Sequence, residues 1–138
     1  NVPLPPRSGD ETYVHVAEGL IAPLIRGFKP EMLLVSAGFD AHWDDPLTSL
    51  GLSSTGCHAL SRRLVELAAE QCKGRIVFVL EGGYSPVNLR HGVQGVFAAL
   101  CSGSFEDPGD SCPYPDPKPT ELIGKLRSLH GFEGSATN

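Results

Sequence analysis

Two short runs of residues that are apolar without alternation punctuate the chain: residues 32–37 (MLLVSA) and 75–80 (RIVFVL). A run of that length with no polar face predicts a strand of a parallel sheet, covered on both sides. Around them the apolar residues recur at helical spacing. Tyr13, Ala17, Leu20, Leu24 and Phe28 predict a helix over residues 10–28. Cys57, Leu60, Leu64, Leu67 and Ala68 predict one that continues to about residue 72. Leu89, Val93, Val96, Phe97 and Leu100 predict a third, and Leu122, Ile123, Leu126 and Leu129 a short last one.

The polar residues between them place the ends. Asp10 is expected to cap the first helix, and Gly27 and Pro30 to end it. Pro23 lies inside it, where a proline costs about 3 kcal/mol, so a kink or break is expected there. Ser53 or Ser54 caps the second helix, Arg62 and Glu66 pair four apart on its outer side, and Gly74 closes it. Ser85 followed by Pro86 is a strong start for the third. Thr120 is expected to cap the last, with residues 131–138 frayed. Five prolines within residues 102–119 rule out regular structure and predict an extended connection.

The order is helix, strand, helix, strand, helix. A helical crossover between two strands is a βαβ unit, hence a parallel pair with a right-handed connection. Two strands do not fill an α/β sheet. With the Pro-rich, Met-less opening (NVPLPPRSG), this predicts the C-terminal part of a larger domain. The division expected is 1–101 for the α/β part, 102–119 for the connection, and 120–138 for a terminal helix and tail.

Bulk properties remove several classes of function. None of the apolar runs approaches the roughly 18 residues that a membrane helix needs, and no basic-then-apolar leader opens the chain. The net charge of −5 carries no basic stripe, which argues against nucleic acid as a direct ligand. Cys57, Cys72, Cys101 and Cys112 form no CxxC pair, so reduced thiols are expected rather than a zinc ribbon. Cytoplasm or nucleus is the expected location, with an organelle not excluded.

The chemistry gathers where the two strands end. Strands of a parallel sheet point the same way, so the loops after Ala37 and Leu80 leave at one edge, where open α/β sheets bind ligands. Asp40, His42, Asp44 and Asp45 are thereby expected near Glu81, Gly82, Gly83 and Tyr84. Carboxylates and an imidazole suit zinc, iron or manganese. Gly82 and Gly83 remove side chains beside a passing substrate. The Tyr84 phenol, protonated at neutral pH, can donate to a developing oxyanion. Other readings stand beside these. Loop acids cap turns, Gly-Gly-Tyr can be a turn alone, and Trp43 can simply pack. His15, His58, His91 and His130 read as surface or satisfied histidines. A catalytic zinc takes about three protein ligands, and no second histidine stands in a site loop. Either the site is incomplete or the metal reading fails.

At residues 36–47 (SAGFDAHWDDPL) and 80–85 (LEGGYS) the chain resembles the zinc-dependent histone deacetylase family, which includes acetylpolyamine amidohydrolases. Asn1-Val2-Pro3-Leu4-Pro5, Gly9-Asp10 and Tyr13 resemble the segment that precedes these motifs, so the likeness covers about residues 1–100. It implies a three-layer, parallel-sheet, arginase/deacetylase-like α/β fold, present as a C-terminal part. It implies hydrolysis of acetyl-lysine in histones or other proteins, with Zn2+ as cofactor and, in some members, a monovalent cation such as K+ near the backbone around Tyr13. Asp45 matches a zinc ligand, and Tyr84 the tyrosine that polarises the amide carbonyl. Gly82 and Gly83 match glycines of the acyl-lysine channel, and Leu52 a channel position where polyamine-preferring members carry glutamate. Asp40, His42 and Asp44 would shape the loop. Glu81-Gly82-Gly83-Tyr84 resembles the class II and bacterial form. The family's paired histidines and Asp-x-His metal motif are absent from these residues, so the isolated chain is expected to bind zinc weakly and not to turn over. The partners implied are an acetylated protein or peptide and protein complexes, with no direct nucleic acid and no membrane. Three alternatives stay open: an acetylpolyamine or other small-molecule amidohydrolase of the same fold, a non-catalytic interaction fragment, and a purely structural α/β fragment whose loops carry no chemistry.

Overall fold

The computed structural model describes residues 1–131; the expected fraying of the tail falls, from residue 132 on, outside them. The first helical stretch is continuous: α1 (Asp10–Val16), a π-helical turn (Ala17–Ile21) and α2 (Ala22–Phe28). The break expected at Pro23 is replaced by that π turn. Proline lacks an N–H and its ring obstructs the carbonyl four residues earlier, here Gly19. A widened turn makes room for it, and the Gly19 carbonyl accepts Arg127 Nη1–H instead, at 2.8 Å. Two end signals are also corrected. Asp10 does not cap its own helix; Gly9 is the N-cap, and the Asp10 carboxylate crosses to residue 53. The helix runs through Gly27 to Phe28 and is closed by Lys29 in the left-handed region, with φ 53°. Phe28, at this end, is exposed rather than in the core.

Strands β1 (Leu33–Ala37) and β2 (Ile76–Leu80) pair in parallel, with Leu33 opposite Ile76 and Ala37 opposite Leu80. They are joined by α3 (Ser54–Cys72), giving the expected βαβ unit. Coverage of both sheet faces is not observed among the described residues. Leu33, Val35, Ile76 and Phe78 are half-buried, whereas Leu34, Val77 and Val79 on the other face are exposed, Leu34 to 72%.

Helix α4 (Pro86–Leu100) lies along α3. Its buried positions are Asn88, Gly92, Gly95, Val96 and Ala99, while Phe97 and Leu100, expected in the core, are exposed. The cause is close approach. A Cβ on Gly95 would stand 3.2 Å from the His58 Cβ, and His58 Nδ1 lies 2.9 Å from the Gly95 carbonyl. Only small residues allow helices that near one another, so the contact stripe rotates away from the larger side chains. Ser53 caps α3, its Oγ accepting Gly56 N–H at 3.0 Å, and the Arg62–Glu66 pair forms at 3.5 Å.

Residues 102–119 form no helix or strand, as expected, and lead to α5 (Thr120–Leu129). Pro119, not Thr120, occupies the N-cap of α5. Ile123 packs against Gly19, and Leu129 is exposed. All four cysteines are free, and no helix among the described residues is long and apolar enough to cross a membrane.

Candidate active site

The two strand tips stay zipped together beyond the sheet. Glu81 N–H donates to the Ala37 carbonyl at 3.1 Å, and Phe39 N–H to the Gly82 carbonyl at 2.9 Å. This continuation of the ladder brings the loop after β1 against the Gly-Gly-Tyr turn after β2. The contact is completed by a side chain: Asp45 Oδ2 accepts Tyr84 N–H at 2.9 Å, while Asp45 Oδ1 accepts Leu47 N–H at 2.9 Å. Asp45 is 8% exposed, and Tyr84, beside it, is 55% exposed. A fixed carboxylate and a solvent-facing phenol residue therefore sit on adjoining loops.

The glycines of the turn have an internal reason to be glycine. A Cβ on Gly82 would stand 2.6 Å from Asp40 Oδ2, and Gly83 holds φ +135°, where a Cβ would stand 3.1 Å from the Phe39 and Leu89 side chains. The space their missing side chains leave is occupied by protein on those sides. Asp40 is tied down in turn, its carbonyl accepting the Thr48 hydroxyl. Tyr13 lies near it; burial first, and then the negative Asp40, push the Tyr13 phenol above its ordinary pKa. Leu52 is buried, with its N–H on Ala41 and its carbonyl taking Trp43 N–H. It lines a small cavity with Phe39, His42, Cys57, Asn88 and Gly92.

The remaining cluster residues serve the loop. His42 is buried; its Nδ1 accepts Asp44 N–H at 3.1 Å, and its Nε2 meets Asp110 Oδ2 at 3.0 Å. Asp44 is exposed, and its carbonyl accepts Asn88 Nδ2–H from α4 at 3.4 Å. Among the described residues no three His, Cys, Asp or Glu side chains converge as a metal-holding group. A zinc site needs about three protein donors, and Asp45 is the single carboxylate here that the family likeness offers as a candidate. The residues present do not make such a site by themselves.

Sequence reasoning missed Asp110 and Asp116, which brace this region, and gave Asp10 the wrong partner. Asp110 Oδ1 accepts Ser54 N–H at 3.3 Å, and its carbonyl accepts Trp43 Nε1–H. Burial pushes its carboxyl up, but hydrogen bonds from Ser54 and His42 together outweigh that and hold it below the usual range. Asp116 accepts Gly9 N–H and Thr12 N–H, each at 3.0 Å, and the Thr12 hydroxyl. Asp10 accepts Ser53 N–H at 2.8 Å and Ser53 Oγ–H at 2.6 Å. The available signal was Asp-Pro-Gly-Asp and Pro-Asp-Pro within the connection, acids set between prolines that stiffen the chain around them.

A parallel βαβ unit whose two strand tips share one polar site is an α/β arrangement of the sheet-edge kind. Comparison with known proteins narrows it. The histone deacetylase domain model matches residues 1–100, and the chain belongs to that family. It is 41% identical over 137 residues to "Histone deacetylase 10, chloroplastic" of Oryza sativa subsp. japonica, covering 96% of this chain and 31% of the relative. A "Probable deacetylase" of Archaeoglobus fulgidus is 49% identical over 101 residues, covering 72% of this chain and 28% of the relative. The chain thus spans about a third of the length of these relatives. Among solved structures, that of the histone deacetylase Clr3 superposes with TM-score 0.80 at 19% identity, over all of this chain and 24% of that one. At that identity the match shows the fold, which is that of deacetylase catalytic domains.

Proposed function

We propose that this chain supplies one wall of a zinc-dependent lysine deacetylase site that is completed, in the full-length protein, by residues outside these 138. The observation that carries the reading is the Asp45–Tyr84 hydrogen bond, which puts a buried carboxylate and a half-exposed tyrosine at one sheet edge. Asp45 would contribute one metal donor. Tyr84 would donate its phenolic O–H to the acyl oxygen as charge develops there, an interaction worth most in the transition state. Gly82 and Gly83 would keep the backbone close to an extended acyl-lysine chain. Residues 1–101 form the catalytic part in this reading, and the exposed Leu34, Val77 and Val79 face is where further layers of the domain would pack. A buried leucine at position 52, rather than an acid, favours acyl-lysine over a cationic polyamine.

The test uses the full-length protein and an acetyl-lysine peptide. Tyr84→Phe is expected to lower kcat by on the order of 10²–10³ with metal content unchanged after dialysis. Asp45→Ala is expected to lose the metal itself. Full turnover by Tyr84→Phe would overturn the reading, and acetylspermidine outcompeting the peptide would shift it to the small-molecule amidohydrolase.

A further inference from the structure

The chain from residue 102 to 119 is more than a connection. It turns back over the loop after β1 and is fastened at its acids: Asp107 accepts the Thr55 hydroxyl at 3.1 Å, Asp110 meets His42 and Ser54, and Asp116 meets Gly9 and Thr12. Of these anchors, only Asp110 touches the loop that carries Asp45. It does so twice, through its carboxylate to His42 and through its carbonyl to the Trp43 indole N–H.

The geometry sets the His42 proton. A backbone N–H can only donate, so the Asp44 N–H at 3.1 Å requires a lone pair on Nδ1. The proton then sits on Nε2 and is donated to Asp110 Oδ2. With the ring held on both sides, the His42 carbonyl is placed to accept Asp45 N–H at 3.0 Å. Asp45 in turn takes Leu47 N–H and Tyr84 N–H on its two oxygens. An unbroken line of hydrogen bonds runs from the strap to the Tyr84 turn.

We propose that Asp110 is a positioning residue, which holds His42 as its Nε2–H tautomer and thereby fixes the turn that aims the Asp45 carboxylate at Tyr84. Asp110 lies beyond the residues 1–100 matched by the family model, so this control of the site comes from the segment that follows it. The inference rests on the reading of Asp45 and Tyr84 as the site, and its test therefore carries a readout that needs no turnover.

Asp110→Asn and the control Asp116→Asn, which loosens the same proline-rich strap at a different anchor, are compared in the full-length protein below both melting temperatures. Imidazole 15N shifts report the His42 tautomer, and the Tyr84 amide proton reports its bond to the Asp45 carboxylate. Asp110→Asn is expected to lose the single Nε2–H signature and to move the Tyr84 amide upfield, with Asp116→Asn leaving both in place. In the activity assay, Asp110→Asn lowers kcat by up to about 100-fold, the scale of a small misplacement of a reacting group, with KM little changed. His42→Asn keeps an acceptor for Asp44 N–H but cannot reach Asp110. It reproduces the effect, and the double variant is no worse than either single one, even if Asp110→Asn proves poorly folded. A Tyr84 amide unmoved in both Asp110→Asn and His42→Asn, or moved equally by Asp116→Asn, overturns the proposal. Wild-type protein without deacetylase turnover, but with the amide response intact, overturns the functional reading and leaves the positioning role standing.

Discussion

Asp45 and Tyr84 are joined by the side chain of one and the backbone of the other: Asp45 Oδ2 accepts Tyr84 N–H at 2.9 Å while Oδ1 holds Leu47 N–H. The carboxylate is therefore a strut between two loops as well as a candidate ligand. This dual use separates two effects that a single activity assay would merge.

Asp45→Asn tests the strut. The amide is nearly isosteric but replaces one acceptor oxygen with a donor, which must face one of the two N–H groups. Hydrogen bonds to charged groups contribute about 1.5–3 kcal/mol each, so a loss of that order is expected in urea denaturation of the metal-free full-length protein. An unchanged midpoint would show that the loops hold together without it.

Gly92→Ala is expected to be destabilising by about 1–3 kcal/mol through overpacking. Its Cβ would fall 2.3 Å from Cδ1 of the buried Phe39 ring, so the ring or the helix must shift to admit it. Gly124→Ala in α5 meets nothing within 4 Å and is expected to stabilise by about 0.4–1 kcal/mol. Equal responses in thermal unfolding would contradict the packing described.

Asp116 makes the strap acid-labile. Burial pushes its carboxyl up, but the Thr12 hydroxyl and the N–H groups of Gly9, Thr12 and Glu11 outweigh that and hold it below the ordinary range. A carboxyl depressed on folding adds stability that is fully present above its unfolded pKa and disappears as pH falls through the folded one. Stability is therefore expected to fall below about pH 4, and Asp116→Asn to be less stable at neutral pH with a flatter acid limb. Denaturation midpoints from pH 6 to pH 2 measure both.

Thiol labelling should separate the cysteines. Burial pushes the Cys57 thiol up to about 11, against a hydrogen bond with Ser61 that lowers it and with the nearby negative Asp10 and Asp110 adding to the rise. Only the thiolate reacts, so at pH 8 iodoacetamide is expected to modify the exposed Cys101 well before Cys57. Mass spectrometry showing early Cys57 adducts would mean that α3 opens readily at its start.

How much of this was legible depends on the range of the interaction. The βαβ order, the Ser53 cap, the Pro86 start and the convergence of the two loops follow from periodicity and local rules, because strands of a parallel pair must release their loops at one edge. What failed was either a choice among competing partners or a matter of distance. Asp10 had two helices within reach, and the remote Ser53 won over its own N-terminus. The apolar side chains of α4 had two possible faces, and the close approach of Gly95 to His58 chose the one with small residues. Pro23 looked like a break because the Arg127 that satisfies the Gly19 carbonyl lies more than a hundred residues away. By itself, then, the sequence determined the elements, their order and the edge where chemistry gathers, since those depend on neighbours along the chain. Only the tertiary structure decided that Asp45 is fastened to Tyr84 and that a proline-rich strap clasps His42, because a hydrogen bond between distant segments leaves no periodic trace in either.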